Sequence, residues 1–236
     1  MSHLSIEFDY THKNTLKVLK SIKEKNLIAL NVQKYLDLGC GDGTFTLEVA
    51  KILGARQIYC VEISDKLVSE ARGKGIEAVR GDLNFDKLPF LDGEFDVVSA
   101  FSVIECLWNP DNMISEAYRV LRRPGYFILS TTNLASWVNR LLLLFGYLPV
   151  YYGISLKQDL EKRPLQKASY PSGHIIKQYT FKTLKTHLEL YNFRVIYSTA
   201  FAQGFIENNL ITKLLDKIIS IKKTLGTGIF MVAIKQ

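Results

Sequence analysis

Residues Tyr35 to Gly43 read YLDLGCGDG: a short apolar run closed by Asp37, then glycines at positions 39, 41 and 43. A glycine-rich turn between a strand and a helix lets a ligand approach backbone N–H groups closely, and the helix N-terminus adds partial positive charge. Many such turns bind phosphate, but the neighbouring residues argue against it here. A P-loop continues G-K-[ST] because a lysine must neutralise the β and γ phosphates, whereas Gly43 is followed by Thr44 and Phe45. A dinucleotide fingerprint, G-x-G-x-x-G, would put its third glycine where Thr44 stands. An acidic residue that bonds ribose hydroxyls is expected about 20 residues on. Glu62, at the end of QIYCVE, stands at that distance and would serve any ribose-bearing ligand.

Working outward, apolar strand-like runs alternate with helical stretches. KYLDLG precedes TFTLEVAKIL; QIYCVEI precedes SDKLVSEARGKG; IEAVRGDL follows; FDVVSAFSV precedes PDNMISEAYRVL, and YFILSTTN comes after it. Such alternation, with strands apolar on both faces, predicts a parallel sheet covered by helices on each side. Leu16, Leu19 and Ile22 recur at helical spacing between lysines, so an amphipathic helix is expected over residues 11–28. The tail departs from the pattern. TFKTLKTHLELYNF reads as a helix, FRVIYSTAF as a strand, residues 205–223 as a second amphipathic helix and GIFMVAIKQ as a last strand. The two late strands suggest an antiparallel pair at the edge of the parallel sheet. With no repeat, low-complexity run or linker, residues 1–236 read as one domain. The long span from Asn133 to Gln178 is read as an insertion, since strand-to-helix connections are usually only a few residues.

The 236 residues are 47% hydrophobic and 22% charged, which suits a self-folding globular chain and argues against disorder. The formal net charge of +7 comes mostly from lysines spread along the chain, read chiefly as solvated helix faces and secondarily as attraction to an anionic substrate or membrane. Cys40, Cys60 and Cys106 are an odd set without a C-x-x-C pair, which fits neither a disulfide framework nor a zinc site. A reducing, cytoplasmic location is therefore expected, and the charged N-terminus lacks the apolar core of an export signal.

Asp37 ahead of the glycines gives D-x-G-x-G-x-G, and Gly81 to Leu83 give GDL after the third strand. From Tyr35 to Asn133 the sequence resembles the class I S-adenosylmethionine-dependent methyltransferases, whose first motif is D-x-G-x-G-x-G. The resemblance implies a Rossmann-like, doubly wound, mostly parallel seven-stranded sheet with an antiparallel C-terminal strand, and S-adenosylmethionine as cofactor. It further implies that Gly39, Cys40 and Gly41 meet the amino-acid part of the cofactor, with Asp37 anchoring the loop or the ammonium group. Glu62 would accept the ribose hydroxyls, Ile63 would lie against the adenine, Asp82 would accept the adenine amino group, and the Leu83 N–H would reach a ring nitrogen. Phe101 and Ser102 would border the sulfonium. Because the cofactor carries no phosphate, the absent P-loop lysine is accounted for, and ligands of open α/β sheets sit at the carboxyl ends of the strands where these residues fall.

VIECLWNPDNMISEAYRVLRRPGYFILSTTN resembles the small-molecule branch of this family, with Cys106, Tyr126 and Thr132 in place of its usual histidine, glycine and proline. Cys106 reads as a buried thiol at a helix start. Base-methylating relatives carry [DNS]-P-P-[YFW] where this chain has SAFS, so a nucleic-acid substrate is disfavoured. The insertion 133–178 is expected to cap a lipid-like or sugar-bearing small-molecule acceptor, with O-methylation favoured and peripheral membrane contact a lesser use; Leu141 to Phe145 is too short to span a bilayer. His174 opens GHIIKQYT, which resembles a run of small-molecule O-methyltransferases and makes His174 the candidate proton acceptor. The insertion's W-x-x-R-x-x-L-x-x-x-G-x-x-P also looks like the MetW branch. That likeness implies an alternative, a cofactor-binding partner or regulator without its own methyl transfer.

Overall fold

Tyr35 and Leu36 are fully buried, and the run they open is strand β1 (Lys34–Leu38), the centre of the sheet. A computed structural model describes residues 3–28, 32–150, 152, 175–202 and 222–236, with side chains from residue 11 onward. The elements follow in the order α1 (His3–Glu24), β1, α2 (Thr44–Leu53), β2 (Gln57–Glu62), α3 (Asp65–Gly73), β3 (Glu77–Arg80), β4 (Phe95–Phe101), α4 (Pro110–Val120), β5 (Leu121–Thr132), α5 (Trp137–Leu144), α6 (Phe181–Leu190), β6 (Phe193–Phe201) and β7 (Gly228–Lys235).

The sheet has seven strands in the order β3-β2-β1-β4-β5-β7-β6. Strands β1 to β5 pair in parallel, and β7 runs antiparallel to both neighbours, so the doubly wound sheet with an antiparallel C-terminal strand is as expected. The late strands do pair with each other, but β7 is inserted between β5 and β6. Its composition explains the inner place: Ile229 through Ala233 are all at most 1% exposed, a run apolar on both faces that needs cover on each side.

Two apolar layers sandwich the sheet. On one face Met113, Ile114 and Ala117 of α4 and Leu184 and Leu188 of α6 pack on Leu36, Leu38, Val98, Phe127 and Leu129. On the other, Leu19 and Ile22 of α1 and Val49 and Leu53 of α2 pack on Tyr35, Val97, Ile128 and Phe230. Strand alternation supplies both faces from the same strands, with odd and even positions of β1 and β5 going to opposite layers. Helix α1 begins earlier and ends earlier than the 11–28 span that periodicity suggested, and Lys23 Nζ caps α2 through the Ile52 carbonyl at 2.6 Å. The helix expected at 205–223 falls almost wholly outside the described residues. So does the middle of the insertion 133–178, of which α5 is the described helix. No helix among the described residues is long and apolar enough to cross a membrane.

The connection from β3 to β4 is held by the E-x-x-R of α4. Glu116 accepts the Leu88 N–H at 2.7 Å, and Arg119 bonds both Glu116 oxygens, the Leu88 and Phe90 carbonyls, and Asp92. That motif is therefore a structural clamp that fixes the loop following Asp82. Replacing Arg119 leaves the Glu116 carboxylate, 9% exposed, without its cation. We expect Arg119→Met to lower unfolding stability by about 3 kcal/mol, the cost of breaking such a pair. The check is urea denaturation with an unchanged m-value.

Candidate active site

At the carboxyl end of β1 a buried carboxylate organises three elements. Asp37, 3% exposed, accepts hydrogen bonds from Thr46 Oγ1 of α2 at 2.6 Å and Ser99 Oγ of β4 at 2.5 Å, and the Tyr35 hydroxyl meets Ser99 at 2.6 Å. Burial raises the Asp37 carboxyl to about 6 against the lowering effect of these hydroxyls. These bonds tie Asp37 to α2 and β4.

The glycines divide by what surrounds them. Gly39 has φ +77°, and a Cβ there would stand 2.5 Å from Val103 Cγ2, so its bareness serves packing between the turn and the segment after β4. Gly41 has φ +57° and nothing within 4 Å of its missing Cβ. The open approach to a ligand is therefore at Gly41. Lys74 does reach this turn from the end of α3, but its ammonium is engaged by Asp42 and Thr44 at 2.6–2.8 Å and is not available as a phosphate-binding lysine.

Glu62 joins the turn to the next strand end. Its Oε2 accepts the Gly41 N–H at 3.0 Å, and its Oε1 accepts the N–H groups of Ile63 and Ser64 at 2.9 and 3.1 Å. An ionised carboxylate has about four acceptor positions, so lone-pair capacity remains for a diol. Ile63 is 55% exposed beside it. The Gly81 N–H bonds the Glu62 carbonyl at 3.1 Å, which ties the β3 end to the β2 end and carries Asp82 with it. Asp82 is half-buried, and Leu83 is buried in the core, so only the Leu83 backbone is placed to meet a ligand.

At the β4 end Phe101 and Ser102 are half-buried, with Ser102 at φ +57°. Phe101 meets Phe45 edge-on at 5.3 Å, and Phe45 stacks on His12 of α1 at 3.9 Å. The structure thus gathers Gly41, Glu62 and the Asp82 loop round the open turn, with Phe101 and Ser102 at the neighbouring strand end. His174 lies outside the described residues.

Three residues were not singled out from the sequence. Asn84 bonds Asp82 through its backbone and side chain at 2.9 and 2.7 Å and accepts the Trp108 and Asn109 N–H groups, linking the loops after β3 and β4. Thr46 and Ser99 hold Asp37. Their signal is weak, since a hydroxyl in a helix or strand looks like any other until its partner across the fold is known.

The cysteines correct an expectation. Cys40 and Cys60 are joined as a disulfide, with Cα atoms 5.9 Å apart, although their spacing suggested unpaired thiols. The physical reason is the sheet: Asp37 pairs with Cys60 across β1 and β2, and the turn then doubles back so that the Gly39 and Cys40 N–H groups both reach the Val61 carbonyl. With its side chain so engaged, Cys40 offers a ligand only its backbone. Cys106 is a free thiol and exposed rather than buried.

The Asp37 assignment predicts a pH signature. The folded state holds this proton more tightly than the unfolded chain, so the resulting stability is present at about pH 4 and lost as the pH rises through about 6. Relative to Asp37→Asn, wild-type unfolding stability should fall by about 2 kcal/mol between pH 4 and 7. Parallel denaturation curves for the two proteins provide the check, and a pH-independent difference contradicts the assignment.

Residues 36–129 match a family model described as a methyltransferase domain. A "Probable S-adenosylmethionine-dependent methyltransferase" of Mycolicibacterium smegmatis is 35% identical over 98 residues, 42% of this chain and 37% of that one. A "Malonyl-[acyl-carrier protein] O-methyltransferase" of Geobacter sulfurreducens is 32% identical over 97 residues, 40% of this chain and 36% of that one. The match with these curated relatives thus spans little more than a third of their length. In three dimensions, an S-adenosylmethionine-dependent methyltransferase from Mesorhizobium loti aligns with a TM-score of 0.60 at 15% identity, over 95% of this chain and 97% of that one, a likeness of fold. Motif, strand order and family match agree: residues 36–129 are similar to a methyltransferase domain, and the fold is that of the class I S-adenosylmethionine-dependent methyltransferases.

Proposed function

We propose that the protein is a single-domain enzyme that transfers the methyl group of S-adenosylmethionine to a hydroxyl group of a small molecule. The observation that carries this reading is the convergence of Gly41, Glu62 and Asp82, from three adjacent strand ends, round one unobstructed turn. The residues suit an adenosyl sulfonium: an approachable backbone, acidic acceptors for hydroxyl and amino groups, and the one described lysine at the turn, Lys74, already engaged by Asp42 and Thr44. The name of the Geobacter relative supports an oxygen acceptor. An apolar body for the acceptor is supported by α5, which exposes Leu143, Leu144 and Phe145 while burying Trp137 and Leu142.

When bound, the sulfonium supplies an already activated methyl group. The chain's own tasks are then to fix the donor, align the acceptor in line with the breaking bond and exclude water. Glu62 would hold the ribose hydroxyls while keeping Gly41 in place, so one carboxylate both shapes and reads the pocket. Asp82, steadied by Asn84, would accept the adenine amino group, and the Leu83 N–H would donate to the ring. Ile63 would cover the adenine face, and Phe101 and Ser102 would wall the methyl-transfer end.

Calorimetric titration should show binding of S-adenosylmethionine and S-adenosylhomocysteine, and none of NAD. Glu62→Ala should weaken S-adenosylhomocysteine binding by about 1–3 kcal/mol, the loss of a charged hydrogen-bond acceptor. An unchanged affinity would remove Glu62 from the site.

A further inference from the structure

Glu105 lies in the 3-10 turn Ile104–Cys106, just after β4, and is 2% exposed. Its Oε2 is buried without a hydrogen-bond partner, and so is the Thr131 hydroxyl on the adjacent strand β5. A carboxyl oxygen sealed from water without a donor is expensive to keep and calls for an explanation. Holding the turn does not supply one. The turn is fastened by backbone bonds from Cys106 to Val103, Leu107 to Ile104 and Ser102 to Ser130, and by the Glu105 carbonyl, which accepts the Ile176 and Lys177 N–H groups at 2.7 and 3.0 Å. The carboxylate takes no part in these backbone bonds, so an apolar side chain would serve the turn better.

Position supplies the explanation. Val103, two residues before Glu105, is the side chain that fills the space over Gly39, so this turn rests directly on the glycine loop. Phe101 and Ser102, at the proposed methyl-transfer end, immediately precede it. We propose that Glu105 is the residue that receives the acceptor: a small molecule bearing an acidic hydroxyl of the phenolic class donates its O–H to Glu105 Oε2, beside Thr131. The proposal rests on the methyl-transfer reading and deepens it.

In the transfer the acceptor oxygen attacks the methyl carbon as its proton passes to Glu105. The O–CH₃ bond forms, the S–CH₃ bond breaks with its electron pair retained by sulfur, and the sulfonium becomes a neutral thioether. Burial raises the Glu105 carboxyl to about 7, against the lowering influence of nearby backbone amides and the Thr131 hydroxyl, so it takes up a proton more readily than an ordinary carboxylate. The neighbouring titratable groups are few. Local desolvation of the sulfur and the Glu105 charge push the Cys106 thiol up to about 12, although the residue as a whole is exposed. Burial, with the Asp111 and Glu105 charges, pushes the Tyr179 hydroxyl up, and that hydroxyl is engaged by His187 Nδ1 at 3.1 Å. Lys177 contributes its amide, and its side chain is exposed. A carboxylate acceptor would set like charge against like and is excluded by the same geometry. Glu105 is 2% exposed, so the acceptor must part the protein over the turn to reach it.

The test uses the full chain saturated with S-adenosylhomocysteine at pH 8 and two probes of matched shape, 4-ethylphenol and 4-ethylbenzoate. The phenol should bind at least tenfold tighter than the benzoate, and Glu105→Gln should abolish that preference. With S-adenosylmethionine, methylation of 4-ethylphenol should rise with pH around 7 and drop at least a hundredfold in kcat in Glu105→Gln. Equal binding of the two probes, no binding of either, an unaltered preference in Glu105→Gln, or turnover lost in His174→Gln but kept in Glu105→Gln would overturn the proposal. S-adenosylhomocysteine affinity separates the two levels: retention by wild type and Glu105→Gln keeps the methyltransferase reading and proves the variant folded, whereas no binding to wild type removes that reading itself.

Discussion

The hydrogen bonds that Thr46 and Ser99 give to buried Asp37 fix the geometry on which the rest of the site depends. They tie the middle strand, the first helix after it and the neighbouring strand into one unit at the point where the chain must turn sharply. A charged group in that position would normally be a liability. With hydroxyls donating to both oxygens it becomes a rigid post, and the raised proton affinity measures how far water has been shut out. The glycine turn is able to stand open at Gly41 because its base does not move.

From that post the site is assembled by short links between successive strand ends. Glu62 grips the Gly41 amide, the Gly81 amide grips the Glu62 carbonyl, and Asn84 connects the Asp82 loop to the segment after β4. The Arg119 clamp secures the far side of the same loop. Each link is a neutral or charge-assisted hydrogen bond of ordinary length, so the preorganisation is distributed rather than concentrated in one contact. The expense of holding Glu105 unpaired at the edge of this assembly is consistent with a group reserved for a ligand.

Much of this was legible in the sequence. Strand and helix alternation gave the parallel half of the sheet, because burial on both faces leaves runs such as FDVVSAF that only an inner strand tolerates. The ligand end followed from Asp37, Glu62 and Asp82 falling at consecutive strand ends. The insertion of β7 between β5 and β6 was less legible, since both late strands are apolar and only the packing decides which one lies inside. The Cys40–Cys60 contact was missed for a related reason: cysteines twenty residues apart say nothing of parallel register until β1 and β2 are aligned.

By itself the sequence determined the class of fold and marked the strand ends at which a ligand is proposed to bind, because periodic burial and the bareness of a turn are local properties written in residue type. Tertiary structure alone decided which glycine faces open space and which faces Val103, that Asp37 is held by Thr46 and Ser99, and that one carboxyl oxygen of Glu105 is buried without a partner. Those are facts about what lies opposite a side chain. Opposition is created only when segments far apart in the chain come together.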